Sequence, residues 1–243
     1  MSENAQHRSM RSDLIEPSGF PAFDELIGGG YARRMVTQFY GEPGSGKSTF
    51  CMLAAVTVIA TTRGVVYIDT ESFSVERFSQ IAGENAAKFS DFLYLFEPEN
   101  FDQQGQMISD ASKVLATRDI GLIVLDSATG LYRTDLEHGQ QDSVQRLNRQ
   151  IVVLLGYAKR YNIPVLVTNQ VYQGFSPLAS LTKDEFLPLG GTGLAHLSKV
   201  VLQLERSGPI RCVRIVKHHS RAEGGVIPFI IAEHGFNVAS EAT

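Results

Sequence analysis

The chain has 243 residues, a formal net charge of −4 and a sequence pI near 5.9, with 43% hydrophobic and 20% charged residues. Such a composition belongs to a globular α/β core and excludes a low-hydrophobicity disordered chain. No run of eighteen apolar residues spans a membrane, and the polar first twenty residues lack the apolar centre of a secretory signal. The acidic balance also argues against a protein that grips DNA with its whole surface, so nucleic-acid binding must come from local loops or be weak. Two cysteines, Cys51 and Cys212, have no metal-ligand spacing and read as reduced core residues of a cytoplasmic protein.

Residues 1–17 show no hydrophobic period and read as a flexible polar arm ahead of one domain over 18–243. From Ser18 onward, apolar runs alternate with amphipathic stretches at βαβ spacing. Val36–Tyr40 predicts a strand, Lys47 to about Thr62 a helix, Val65–Asp69 a second strand and Val75 to about Ala87 a second helix. Phe92–Phe96 and 102–116 predict a further strand and helix. Leu122–Leu125 has no polar interruption, which predicts a central strand covered on both faces. A long helix over 142–161 and a strand over Pro164–Thr168 follow. Beyond a loop near 172–190 the pattern turns β-rich, with antiparallel strands at Lys199–Leu204, Arg211–Lys217 and Phe229–Ala232. The expected fold is a mainly parallel sheet flanked by helices, extended by antiparallel strands at its C-terminal end.

Gly41-Glu42-Pro43-Gly44-Ser45-Gly46-Lys47-Ser48 fits G-x-x-x-x-G-K-[ST] between a predicted strand and a predicted helix. Glycines let several backbone N–H groups converge on one anion, and the helix start adds the positive end of its dipole. Lys47 then reaches the β- and γ-phosphates of a nucleoside triphosphate, ATP above all, and the Ser48 hydroxyl ligates Mg2+. Asp126 ends the apolar strand, where a carboxylate orients magnesium-bound water. Glu71 lies just beyond the second strand; in an open parallel sheet such strand ends converge, which makes it the candidate base for the attacking water. Gln170 ends the next strand on the same edge, either as a γ-phosphate sensor or as a structural amide.

Taken together, Tyr67–Glu71 (YIDTE), Ser74–Phe78 (SVERF), Leu122–Asp135 (LIVLDSATGLYRTD), Thr168–Val171 (TNQV) and Leu189–His196 (LGGTGLAH) resemble the ATPase core of the RecA recombinase family. They follow its archaeal and eukaryotic branch, and the likeness runs from Ser18 to about residue 236. The resemblance implies a RecA-type P-loop fold with ATP and Mg2+ as cofactors. It assigns phosphate binding to Gly41–Ser48 and Thr49, catalysis to Glu71 with Lys47 and Gln170, and the metal to Ser48 and Asp126. Arg77 matches an arginine that stacks on adenine, with a plain surface residue as the alternative.

Two loops carry DNA in that family. The first corresponds to about 132–145, where Arg133 is the visible cation. The second corresponds to about 172–189, with Tyr172 and Phe175 available for stacking on single-stranded bases. Only Lys183 stands there against Asp184 and Glu185, which predicts poor phosphate neutralisation. Lys217 and Arg221 match cations that reach the γ-phosphate of a neighbouring subunit; a solvated basic hairpin or a DNA-phosphate contact is the alternative.

Family recombinases polymerise through a Phe-x-x-Ala segment, and Gly19-Phe20-Pro21-Ala22-Phe23 is not that motif. Phe20 and Phe23 are expected to pack on the core, and there is no room for a separate N-terminal helix-hairpin-helix domain. The resemblance therefore implies a weakly ATP-hydrolysing DNA repair and recombination protein that assists a RadA-type recombinase. Its expected partners are single-stranded DNA, that recombinase and other copies of itself, with no membrane. The alternatives are an active strand-exchange recombinase, or a KaiC-like signalling ATPase working through protein partners. Against the last, a paired glutamate is replaced here by Glu71-Ser72.

Overall fold

The computed structural model describes residues 14–137, 142–173, 186–189 and 191–239. A short strand β1 (Ile15–Glu16) opens the described chain and pairs antiparallel with β2 (Tyr31–Ala32). Ile15 and Glu16, expected within the polar arm, thus belong to a strand. Glu16 is buried and answered by Arg33 at 2.9 Å and by Arg63, which anchors the segment. Helix α1 (Pro21–Ile27) lies between the two strands, with Pro21 in its first turn and Gly28 closing it in a left-handed conformation.

The rest alternates as the hydrophobic pattern requires. β3 (Val36–Gly41), α2 (Lys47–Ile59), β4 (Gly64–Asp69), α3 (Val75–Ala82) and α4 (Ala86–Ser90) come first. β5 (Leu93–Phe96), α5 (Phe101–Thr117), β6 (Ile120–Asp126), α6 (Gly130–Glu137), α7 (Ser143–Tyr161) and β7 (Val165–Asn169) complete the parallel part. β8 (Val171–Gln173) and β9 (Phe186–Pro188) form a small antiparallel pair, and α8 (Gly191–Leu197) follows. β10 (Val200–Ser207), β11 (Ile210–Lys217), β12 (Val226–Ala232) and β13 (Gly235–Val238) close the chain as an antiparallel extension.

The main sheet has nine strands in the order β13-β12-β11-β10-β3-β7-β6-β4-β5. The pairs β10–β3, β3–β7, β7–β6, β6–β4 and β4–β5 are parallel. Every residue of β3, β4, β6 and β7 is buried, as strands covered on both faces must be. One face packs on α1 and α2 through an aromatic cluster in which Phe23, Phe39, Phe50, Phe229 and Phe236 touch ring to ring, and Phe78 and Ile81 of α3 extend the same core. Phe20 joins it, 5.5 Å from Phe236. On the other face, Ile108, Leu115, Leu147, Ile151 and Leu154 from α5 and α7 cover β6 and β7.

This order sets strands that are distant in sequence side by side. The carboxyl ends of β3, β7, β6 and β4 therefore share one crevice, where an open parallel sheet places its ligands.

Candidate functional site

The loop between β3 and α2 is shaped by backbone that only glycine tolerates. Gly46, directly before α2, adopts φ 106°, a left-handed value that strains any other residue. A Cβ on Gly41 would lie 2.2 Å from the Leu204 carbonyl on β10, so this strand end packs only without a side chain. Lys47 curls back over the loop, its Nζ donating to the carbonyls of Gly41 (2.8 Å) and Glu42 (2.9 Å). Burial pulls the lysine pKa down, while Glu71 and Asp126 hold it up. The fully buried Ser45 Oγ has no hydrogen-bond partner among the described residues. Cradle, ammonium and orphaned hydroxyl together match the donor set of a polyphosphate.

Asp126 is the buried end of β6. It accepts from Tyr67 Oη (2.8 Å) and Thr168 Oγ1 (2.5 Å), one partner from each neighbouring strand, and from the Ser48 side chain. Burial raises its pKa first, these hydrogen bonds oppose the rise, and the charge of Glu71 adds to it. Asp69 ends β4 directly opposite Asp126 in register and is 5% exposed. Burial and the Asp126 charge push its carboxyl up to about 7. Two buried carboxylates side by side, next to a serine hydroxyl, suit a hydrated divalent cation. Asp69 was read from sequence only as a strand end; its place two residues before Glu71 was the available signal.

Glu71 stands in the turn after β4. Its Oε1 accepts from Ser127 Oγ and from Gln170 Nε2, both at 2.6 Å. The three residues come from the ends of β4, β6 and β7. Thr70 secures the first crossing: its Oγ1 accepts from Ser127 N and donates to Ser127 O, each at 2.9 Å. Thr129 secures the second, with its Oγ1 donating to Asn169 Oδ1 (2.8 Å) and accepting from Gln170 N (3.0 Å). Asn169 Nδ2 then donates to the Leu189 carbonyl (2.8 Å), and Leu189 N donates to the Gln170 carbonyl (3.0 Å). Thr70, Ser127, Thr129 and Asn169 escaped the sequence reading, because their value lies in contacts between strands.

The remaining candidates fall elsewhere. Arg77 is held against the β12–β13 turn, donating to the carbonyls of Ala232 (2.8 Å), Glu233 (3.0 Å) and Gly235 (3.4 Å) and to Gln80 (3.0 Å). It clamps that turn to α3 instead of standing free. Arg133 is exposed on α6, 3.7 Å from Glu137 one turn on. The backbone of Tyr172 pairs with Leu187 in β8–β9. The Tyr172 side chain, Phe175 and Lys183 lie outside the described residues.

Lys217 donates to the carbonyls of Ala195 and Ser198, both at 2.8 Å, closing the C-terminal end of α8. Arg221 lies over Gly28 and lines a cavity of about 680 Å3 with Arg33, Arg34, Lys159 and His219. Met35, directly before β3, also lines that cavity, which therefore lies at the opposite end of this strand from the loop at Gly41–Ser48. Neither Lys217 nor Arg221 reaches the crevice of its own chain.

A P-loop at the end of β3, an acid ending β6 and a carboxylate after β4 define a RecA-type nucleotide-binding core. The chain matches the Rad51 family over residues 10–239 and belongs to it. Members of this family are ATPases that bind nucleotide with magnesium. Among its relatives is the DNA repair and recombination protein RadB of Methanoculleus marisnigri, 50% identical over 228 residues that cover 93% of this chain and 98% of that protein. RadB of Methanococcoides burtonii is 38% identical over 94% of this chain and 99% of its own. A crystal structure of the RadB recombinase superposes with a TM-score of 0.78 at 31% identity, covering 93% of this chain and all of that one.

Proposed function

We propose that this protein is an ATP-binding, weakly ATP-hydrolysing component of DNA repair and homologous recombination, assisting a RadA-type recombinase. The observation that carries the reading is the meeting of Lys47, Ser48, Asp126 and the Glu71–Gln170 pair in one crevice. In this reading the Gly41–Ser48 amides and Lys47 hold the β- and γ-phosphates. Ser48 and Asp126 hold Mg2+, which neutralises phosphate charge when bound. Glu71 orients the attacking water and takes its proton, and Gln170 contacts the γ-phosphate and passes its presence to β8–β9. Arg77, already turned toward the hairpin, would border the base.

The assisting role rests on two features. Phe20 and Phe23 are consumed by the chain's own aromatic core and are not available to seat in a neighbour. The second loop offers Lys183 against two acids, a poor counterion for DNA. Single-stranded DNA, the recombinase and further copies of this chain are the proposed partners.

The test is a set of ATPase and strand-exchange assays on the purified protein, with single-stranded DNA and with or without a RadA-type recombinase. The reading expects slow hydrolysis that Glu71→Gln strongly reduces without loss of ATP binding. It also expects strand exchange only when the recombinase is added. Efficient exchange by this protein alone would overturn the assisting role. Undiminished hydrolysis by Glu71→Gln would overturn the assignment of the base.

A further inference from the structure

Glu71 follows β4 in a short turn, and its side chain needs support to face one direction. Gln170 supplies one donor to Oε1, and Ser127 supplies a second to the same oxygen at 2.6 Å. Ser127 is wholly buried, so its rotamer is set by packing and not by solvent. Its backbone is tied in both directions to Thr70, the residue before Glu71. While donating to Glu71, Ser127 Oγ also accepts the N–H of Gly130 at 3.0 Å. Gly130 is the first residue of α6, and α6 enters the first of the two loops read as DNA-binding.

The hydroxyl thus bridges the carboxylate and the start of that helix. Gly130 has no side chain to intrude: a Cβ there would meet Thr70 Oγ1 at 3.0 Å, Ser127 Oγ at 3.2 Å and Glu71 Oε1 at 3.6 Å.

We propose that Ser127 is a positioning residue for ATP hydrolysis, its hydroxyl holding the Glu71 carboxylate and coupling its orientation to helix α6. The inference rests on the reading of Glu71 as the base. A shift of α6 moves the Gly130 N–H, the Ser127 hydroxyl follows, and the carboxylate swings with it. Gln170 couples the same oxygen to β8–β9, so the carboxylate is restrained from both loops at once.

Removing the hydroxyl should harm turnover and spare binding, because Ser127 contacts the base and not the phosphate loop. For Ser127→Ala we expect the KM for ATP and the affinity for a fluorescent ATP analogue to stay within about threefold of the parent. We expect kcat to fall about 10- to 100-fold, the scale of a small displacement of a reacting group. Ser127→Cys keeps a donor at this position, though a weaker and bulkier one, and should fall between the two, and Gly130→Ala should lower kcat with the hydroxyl intact.

The decisive measurement is a double-mutant cycle with Glu71→Gln. If Ser127 acts only through Glu71, adding Ser127→Ala to Glu71→Gln lowers kcat no further, whereas a general structural defect would multiply. Parent-like kcat in both serine variants, or independent multiplication of the two losses, overturns the positioning role. Parent-like kcat in Glu71→Gln alone overturns the base itself and this inference with it.

Discussion

Gln170 donates its side-chain amide to Glu71 at 2.6 Å although 99 residues separate them in the chain. The bond crosses the carboxyl ends of three parallel strands and reaches a residue whose backbone meets Leu189 at the exit of β9. One residue therefore touches both the candidate base, through its side-chain amide, and the frame of the second loop, through its backbone carbonyl. A γ-phosphate that recruited this amide would release Glu71 and shift β8 in the same movement.

Replacing Gln170 with alanine should uncouple these events. ATP binding is expected to persist, because Lys47 and the loop amides are untouched, while kcat falls by about tenfold or more as a donor is lost. Amide exchange at Val171–Gln173 should respond to a non-hydrolysable ATP analogue in the parent and not in Gln170→Ala. The same nucleotide response in both proteins would show that Gln170 carries no signal.

Lys217 offers a sharper discrimination. Its two bonds to the carbonyls of Ala195 and Ser198 satisfy acceptors at the end of α8 that the helix leaves open. Lys217→Ala should therefore cost about 1–3 kcal/mol of stability, as charged hydrogen bonds to partly buried acceptors do. Urea unfolding measures the cost, and ATPase activity per folded molecule should stay near the parent value. A large loss of activity with unchanged stability would favour action on a neighbour's γ-phosphate.

The sequence carried the parallel core well, because its evidence was local. The uninterrupted apolar run at Leu122–Leu125 leads to the end of β6 at Asp126, the strands expected at Val36–Tyr40 and Pro164–Thr168 end one residue short of β3 and β7, and the phosphate loop follows from eight consecutive residues. The expected helix from Val75 to about Ala87 instead breaks at Gly83, where φ is 59°. Helix α1 was missed because seven residues between Phe20 and Gly28 are too few for a period to show. Helix α6 was hidden in a segment read as a loop. Ser127, Thr70 and Thr129 are unremarkable as letters; they gain meaning only once β4, β6 and β7 are in register. Arg77, matched in sequence to an adenine-stacking arginine with a surface cation as the alternative, shows its hold on the Ala232–Gly235 turn only once β12 and β13 fold back against α3.

Phe23 tests the reading of the segment before the core. It is wholly buried, 4.8 Å from the Phe50 ring and 6.1 Å from Phe39. Phe23→Ala should cost about 3–5 kcal/mol through lost transfer energy and the cavity left behind. Thermal unfolding should register that loss equally in dilute and concentrated protein. A variant as stable as the parent that merely dissociates into smaller species would place this ring between subunits instead.

His218 makes the turn after β11 sensitive to acid. Its Nδ1 accepts the N–H groups of Ser220 (3.1 Å) and Arg221 (3.0 Å), a role open only to an unprotonated nitrogen. Burial, the stacked His219 ring at 4.5 Å and the Arg221 charge push its pKa down from 6.5 to about 4, while a hydrogen bond with the Ile27 backbone opposes them. The unfolded chain therefore binds this proton near pH 6.5 and the folded chain only near pH 4. The stabilisation is fully present above the unfolded value and drains away as pH falls through the window between them. With the ring half-buried, the effect is about 1–2 kcal/mol. Asparagine keeps an acceptor at this position but does not titrate. Urea unfolding at pH 7 and pH 5 should show a loss of stability in the parent that His218→Asn lacks, and equal losses in both proteins would exclude His218 as its source.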